Sequence, residues 1–443
     1  MLKILRSVVW LALVLALALN VLSTSRAFAQ AAKSVDKFQL PRQFLKKALP
    51  LKSHLQAPGK NGGITKNAVT ANASVPGIDS LANWTGQFTA PGFDFFDNPQ
   101  SAWPFEMVGA PPESGRKTTI GAPIVPVTVR LLDKNGHVAK SVNGDRLILR
   151  ATPSITQAVV NSPIFQPFVY TSGVGQFNDQ MARAEFWDRI QHGEDGSNWH
   201  TVLNPSVKRG RTMDIPYGFW YYGLNDDGSC CAFFLVDEDT FGGLLFPPTF
   251  PVDNTTVIGA AELAGDVTTR DLSTFLFNNI YLYGGTPDNC CVLGFHTYDF
   301  EPGVPSNGNR ERRYVLNYSS WISPNLFLFG FEDTTAYSHE MAETFNDPFV
   351  DNETPWWLSV DPFTGGGICD AVLETGDVVE VLTTLPVYAI PMNGRTYHVQ
   401  NEAMFPWFAF ESPSPAHLGA YSFPDETTLT SLSPGPLRVA RSS

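Results

Sequence analysis

Basic side chains are scarce in this 443-residue chain: Lys and Arg total 30 against 43 Asp and Glu, a formal charge of -13. That balance argues against nucleic acid as a partner, because scattered cations cannot offset repulsion from a phosphate backbone. After residue 29 there is no long apolar run, so nothing further along reads as a membrane-spanning helix. Cysteine is sparse and oddly placed: Cys230, Cys231, Cys290, Cys291 and Cys369, with no C-x-x-C spacing. Adjacent cysteines do not easily share one tetrahedral ion, so structural disulfides are the better reading. In an oxidising compartment the two adjacent pairs can cross-link to each other and leave one thiol over.

The long apolar run that does exist opens the chain. Lys3 and Arg6 precede it, and the small-residue pattern Ala27, Ala29, Ala31 follows it. This is the grammar of a secretory signal peptide over residues 1–29, with export to the periplasm or the medium and no stable membrane association after cleavage. Its removal takes Lys3, Arg6 and Arg26 with it, leaving the mature chain at -16. Residues 30–75 have few large apolar groups and several glycines, and so little to repay the entropy of ordering; they read as a disordered linker or propeptide-like segment. A large folded body is expected over 76–430, and "SLSPGPLRVARSS" reads as a polar tail, 431–443.

Within the body, aromatic and branched residues recur in short runs broken by Gly and Pro. "APIVPVTVRL" leads to an Asn-Gly turn, and "GFWYYGL", "CCAFFLVD", "GLLFPPTF", "STFLFNNIYLYGG", "CCVLGFHTYDF" and "RRYVLNYSSW" have strand composition. "FNDQMARAEFWDRIQ" has a broad apolar side and reads as a core-packing helix capped by Phe177 or Asn178, with Asp179, Glu185 and Asp188 on a solvated face. Many strands with a few helices predict an α+β fold.

One helix carries chemistry. In "FEDTTAYSHEMAETFNDP", Asp333, Thr334 or Thr335 serves as cap and Pro348 forces termination. His339 and Glu343, four residues apart, lie one above the other on one face, and Glu340 is offset from them as the base is in HExxH zinc proteases. Two helix ligands and a third from elsewhere can hold a Lewis acid while a neighbouring carboxylate takes a proton from water. The third ligand is sought among Asp361, Asp370, Glu374 and Asp377; in "LETGD" the E-x-x-D spacing lets one acid bind metal while the other braces His339. Asp347 stands about 12 Å along the axis from His339 and is given only a supporting place. His296 ends a strand and is read as a cleft residue; His398 and His417 have no assigned chemistry, His417 without an evident partner. Trp84, Trp103, Trp356, Trp357, Trp407, Phe408 and Phe410 offer aromatic surface for a binding platform, against the simpler reading of core.

The ordered series "WPFEMVGAPPESGRKTTIGAPIVPVTVRL", "SPIFQPFVY", "DQMARAEFW", "CVLGFHTYDF", "SHEMAETFNDP" and "LETGDVVEV" resembles a family of secreted, mostly bacterial zincin-like metalloproteases, and more distantly the plant exordium-like secreted proteins. The resemblance covers about residues 76–430 and implies a zincin-like α+β domain: a mixed sheet with an active-site helix, and strand-rich additions at both ends. It also implies His339, Glu343 and Glu374 as ligands of one zinc ion, Glu340 as general base, Asp377 and Asp347 as supporting acids, and His296 as the strand histidine of the active site. Met341 and adjacent cysteines depart from the family's usual wording. The expected function is a secreted zinc peptidase acting on peptide or protein; the alternative is a non-catalytic extracellular protein that binds cell-wall glycan or protein on the same scaffold. The oligomeric state is not legible.

Overall fold

The computed structural model describes residues 37–41, 43–47, 81–94, 98–191, 198–247, 254–305, 308–360, 367–380 and 386–432. Residues 1–29, read as a signal peptide, most of 30–75, the candidate ligand Asp361 and residues 433–443 of the tail lie outside the described residues. In chain order the body begins with strands β1 (Asn83–Phe93), β2 (Pro99–Val108), β3 (Lys117–Leu131) and β4 (Ile148–Arg150), then helix α1 (Pro153–Val160). The short strands β5 (Phe168–Tyr170) and β6 (Gly173–Gly175) precede helices α2 (Phe177–Glu185) and α3 (Trp187–Gln191). Next come β7 (His200–Val207), β8 (Arg211–Ile215), β9 (Trp220–Leu224) and β10 (Cys230–Asp237), then α4 (Glu238–Leu245) and α5 (Val257–Leu263). Strands β11 (Leu272–Asn278), β12 (Ile280–Tyr283), β13 (Cys290–Val292), β14 (Gly294–Glu301) and β15 (Arg312–Trp321) lead to helix α6 (Thr335–Asn346). The hairpin β16 (Glu353–Val360) and β17 (Gly367–Val372), short helix α7 (Asp377–Glu380), hairpin β18 (Val387–Met392) and β19 (Arg395–Gln400), β20 (Glu402–Ala403), α8 (Phe405–Phe408) and β21 (Ser422–Phe423) complete it.

The chain is therefore a mixed α+β protein, as its strand-rich text with isolated helices predicts. A seven-stranded sheet runs β14-β15-β11-β3-β4, with β7 and β8 also paired to β3. Pairings of β11 with β15 and β3 are parallel; β14 with β15 is antiparallel. Six of the seven side chains of the central strand β11 are buried, the continuous apolar pattern of a strand covered on both faces. Strand β3 is long enough to serve two partners, β7 along Lys117–Ile124 and β8 along Val127–Leu131. Pro126, which has no N–H to give a ladder, stands in the gap between them. A second, four-stranded sheet runs β13-β12-β10-β9.

Several local readings are corrected. "GLLF" ends helix α4 rather than forming a strand, because Asp237 caps that helix by accepting from Thr240 N at 3.0 Å. The helix expected over "FNDQMARAEFWDRIQ" breaks at Phe186 and is preceded by Gln176, not capped by Phe177 or Asn178. Its acids are not all solvated: Asp179 is buried and accepts from Thr201 N at 2.9 Å, and Glu185 is buried as well. Each adjacent cysteine pair is closed within itself, Cys230 to Cys231 and Cys290 to Cys291, rather than across. Inside the segment read as a linker, Phe38 and Leu45 are buried in the core and Tyr222 N donates to Phe38 O at 3.0 Å, so this part is packed on the body.

For the aromatic residues the simpler reading, core, holds. Trp84, Trp103, Trp356, Trp357, Trp407 and Phe408 are all buried, with Trp357 and Trp407 in edge contact at 5.9 Å between ring centres. His417 does have partners: its Nδ1 is 2.6 Å from Glu426 Oε1, and its ring meets Trp187 edge-on. Among the described residues no helix is long and apolar enough to cross a membrane.

Candidate metal centre

Helix α6 is buried on every side; none of its twelve residues is a surface residue. That removes the possibility that H-E-x-x-E here is a solvated coincidence. Tyr337, Met341 and Phe345 pack into the cluster that holds Leu272, Leu276 and Val315 from the sheet. The polar side is buried too and must find partners within the protein. Ser338 Oγ accepts from Gln400 N at 2.8 Å, Thr344 turns back to Glu340 O at 2.5 Å, and Asn346 Nδ2 donates to Glu185 Oε1 at 3.1 Å. The helix ends where Pro348 denies it a donor, with Asp347 as its last capping residue. Thr334 precedes it without a side-chain capping bond.

Three segments converge on the polar face of α6. Strand β14 brings His296, opposite Asn317 of β15. The turn after β17 brings Glu374 and Gly376, and α7 opens with Asp377. Two glycines make the approach possible. A Cβ on Gly376 would lie 2.3 Å from His339 Nδ1, and one on Gly294 2.4 Å from Glu340 Oε1, far inside van der Waals contact. Gly376 N also donates to Glu343 Oε1 at 3.1 Å, and Gln400 Nε2 ties the same turn down through Gly376 O at 2.9 Å.

The resulting geometry centres on Glu343. Its Oε1 is 3.2 Å from His339 Nε2, and its Oε2 is 3.2 Å from His296 Nδ1. Asp377 Oδ1 is 3.8 Å from His339 Nε2, whereas Glu374 Oε2 is 3.9 Å from His296 Nδ1. Glu340 stands between the two imidazoles, Oε1 4.0 Å from His339 Nε2 and Oε2 3.8 Å from His296 Nδ1. Two groups with metal-ligand composition follow, His339, Glu343 and Asp377, and His296, Glu340 and Glu343, each with donor atoms within 4.8 Å of one another. Of the residues expected to share one ion, His339 and Glu343 meet directly; the third carboxyl beside His339 is that of Asp377, and Glu374 faces the other imidazole. Asp347 sits at the far end of the helix, its Oδ1 accepting from Asp351 N at 3.0 Å.

Electrostatics set these groups apart from a settled ion-pair network. Burial raises Glu340 to about 7, with the two imidazoles opposing the rise. Burial acts the same way on Glu343, but His339 and His296 outweigh it and hold that carboxyl well below its ordinary value. Glu374, Glu380 and Glu402 are pushed well above it, by burial first. Desolvation opposes charge on His339 and His296, yet the surrounding carboxylates raise both well above the ordinary value. The positive groups acting most strongly on these acids are the imidazoles themselves. Despite the short approaches, His339 Nε2, both ring nitrogens of His296, and the Oε2 atoms of Glu340, Glu343 and Glu374 make no hydrogen bond of good geometry. Buried polar atoms without partners cost about 1–3 kcal/mol each, so a cluster of six or more calls for a partner, and N plus carboxylate donors suit a divalent cation.

Sequence reasoning did not find Glu380 or Glu402. Glu380 Oε1 is 3.5 Å from His339 Nδ1, and its signal was its place three residues after Asp377. Glu402 is fully buried next to Thr375, and nothing in "QNEAMF" marks it. No protein-family model, curated protein or solved structure matches the chain, so what identifies the centre is the meeting of one helix, one strand and one glycine turn around Glu343.

Proposed function

We propose that the protein is a secreted metal-dependent hydrolase, a zinc peptidase acting on peptide or protein, with the ion held by His339, Glu343 and Asp377. The observation that carries this reading is that the motif helix is buried and that His339 Nε2, which makes no hydrogen bond, converges with the Glu343 carboxylate and a third acid. The imidazole and carboxylates are ordinary zinc donors, and the E-x-x-D element supplies its aspartate to that set. A bound ion supplies a Lewis acid that acidifies water and polarises a carbonyl.

The chain's own residues do the rest. Glu340, 4.0 Å from His339 Nε2 and not a member of that donor group, accepts the proton of the attacking water and returns it to the leaving amine. The Gly376 N–H holds Glu343 Oε1 in position, and Glu380 braces the far nitrogen of His339. His296 faces Glu340 and Glu343 from the strand and places a donor beside the developing negative charge. Glu374 supports His296.

A second reading, a non-catalytic extracellular binding protein built round a structural ion, draws on the burial of the centre: His339 is 4% and Glu340 2% exposed. Closed coordination is typical of structural zinc and an open position of catalytic zinc. Elemental analysis after dialysis, with peptidase assays on Glu340→Gln, separates them. The hydrolase reading expects a tightly held transition metal, retained in Glu340→Gln while turnover is lost. Full activity in that variant refutes the mechanism; metal without turnover in the native protein favours the structural ion.

A further inference from the structure

The two donor groups share Glu343 and nothing else, and they divide its oxygens: Oε1 faces His339, Oε2 faces His296. A site for a single ion would leave one group idle. His296 is buried at 4% exposure with both ring nitrogens lacking a hydrogen bond, and the Oε2 atoms of Glu340 and Glu343 that face it are likewise without one. Donors that face only one another, with no hydrogen bond of good geometry, are thus aimed into the second group independently of the first.

We propose that the centre holds a second divalent cation, bound by His296 Nδ1, Glu340 Oε2 and Glu343 Oε2, with Glu343 bridging the two ions. The first ion is the one in the proposed hydrolase, and the inference rests on that reading for it alone. Binding of the second is weaker, because it shares a ligand already engaged and is repelled by a neighbouring dication. Its consequence is regulatory. When filled, the second site engages the Glu340 carboxylate through Oε2 and lowers the basicity of Oε1, the oxygen that faces His339, so excess metal suppresses turnover.

The test counts ions rather than products. The mature protein, as purified and dialysed, is titrated with Zn²⁺ by calorimetry, and elemental analysis follows desalting from excess Zn²⁺; Co²⁺ absorption provides a second reading of each step. The expected result is one tightly held ion and a second, weaker step in the native protein. That second step is lost in His296→Gln and weakened at least ~10-fold in Glu340→Gln, the first ion persisting in both. Glu340→Gln is nearly isosteric and decides the matter if His296→Gln fails to fold. One ion at all Zn²⁺ concentrations overturns the second site and leaves the hydrolase standing; no ion at all overturns both. A second step that survives in the variants belongs to other residues, and the inference is wrong.

Discussion

Gly376→Ala is the sharpest probe of the centre, since it adds one methyl group and alters no donor. The new Cβ would lie 2.3 Å from His339 Nδ1, 2.5 Å from Cε1 and 2.7 Å from Cγ, where ordinary contact begins at 3.4 Å. The imidazole must retreat by about 1 Å, or the turn must. The first movement draws Nε2 away from Glu343 Oε1, now at 3.2 Å; the second lifts the Gly376 N–H from the same oxygen, now at 3.1 Å. Either way the ligand set loosens, and disturbing such a support costs about 10–100-fold in metal affinity, or about 1.4–2.7 kcal/mol. Overpacking adds about 1–3 kcal/mol of lost fold stability, present with or without metal. Urea unfolding with and without Zn²⁺ separates the two effects, and competition with a chromophoric chelator gives the affinity directly. Gly243→Ala is the control: it lies on α4 with open space around its Cβ position, and should gain about 0.5–1 kcal/mol. A folded Gly376→Ala protein that binds Zn²⁺ like the native one would falsify the claim that this glycine seats the metal helix.

Further outcomes follow from burial, hydrogen bonding and chain pairing. Met341→Ala empties a fully buried place between α6 and the sheet and should cost about 2–5 kcal/mol in urea unfolding; a loss under 1 kcal/mol would mean the helix is not seated as described. Glu185 is raised from 4.5 to about 8 by burial, opposed by donation from Phe405 N and Asn346. A raised carboxyl contributes stability below its unfolded value that is lost as pH rises through the folded one, so Glu185→Gln should gain on the native protein between pH 4.5 and about 8. Parallel pH profiles for the two proteins would contradict a neutral Glu185. Peptide mapping without reduction should find Cys230 joined to Cys231 and Cys290 to Cys291, and a peptide linking the two pairs would refute the described pairing.

Sequence alone was enough to place the helix and its spacing. His339 and Glu343 share a face because an α-helix returns every 3.6 residues, and Pro348 marks the end because it has no N–H to continue. The strands were equally legible where the text was branched and aromatic, as in β10, β11 and β15. Local chemistry misled where tertiary burial overrode it: Asp179 and Glu185 looked solvated on a helix and are buried. What sequence could not decide was company. Which acid reaches His339, Asp377 rather than Glu374, depends on the path of the turn after β17, and that turn comes close only because Gly376 has no side chain to hold it off. Spacing along a chain sets which residues share a face; distances between segments are set by how sheet, helix and turn pack, and those contacts alone brought His296 to the other oxygen of Glu343.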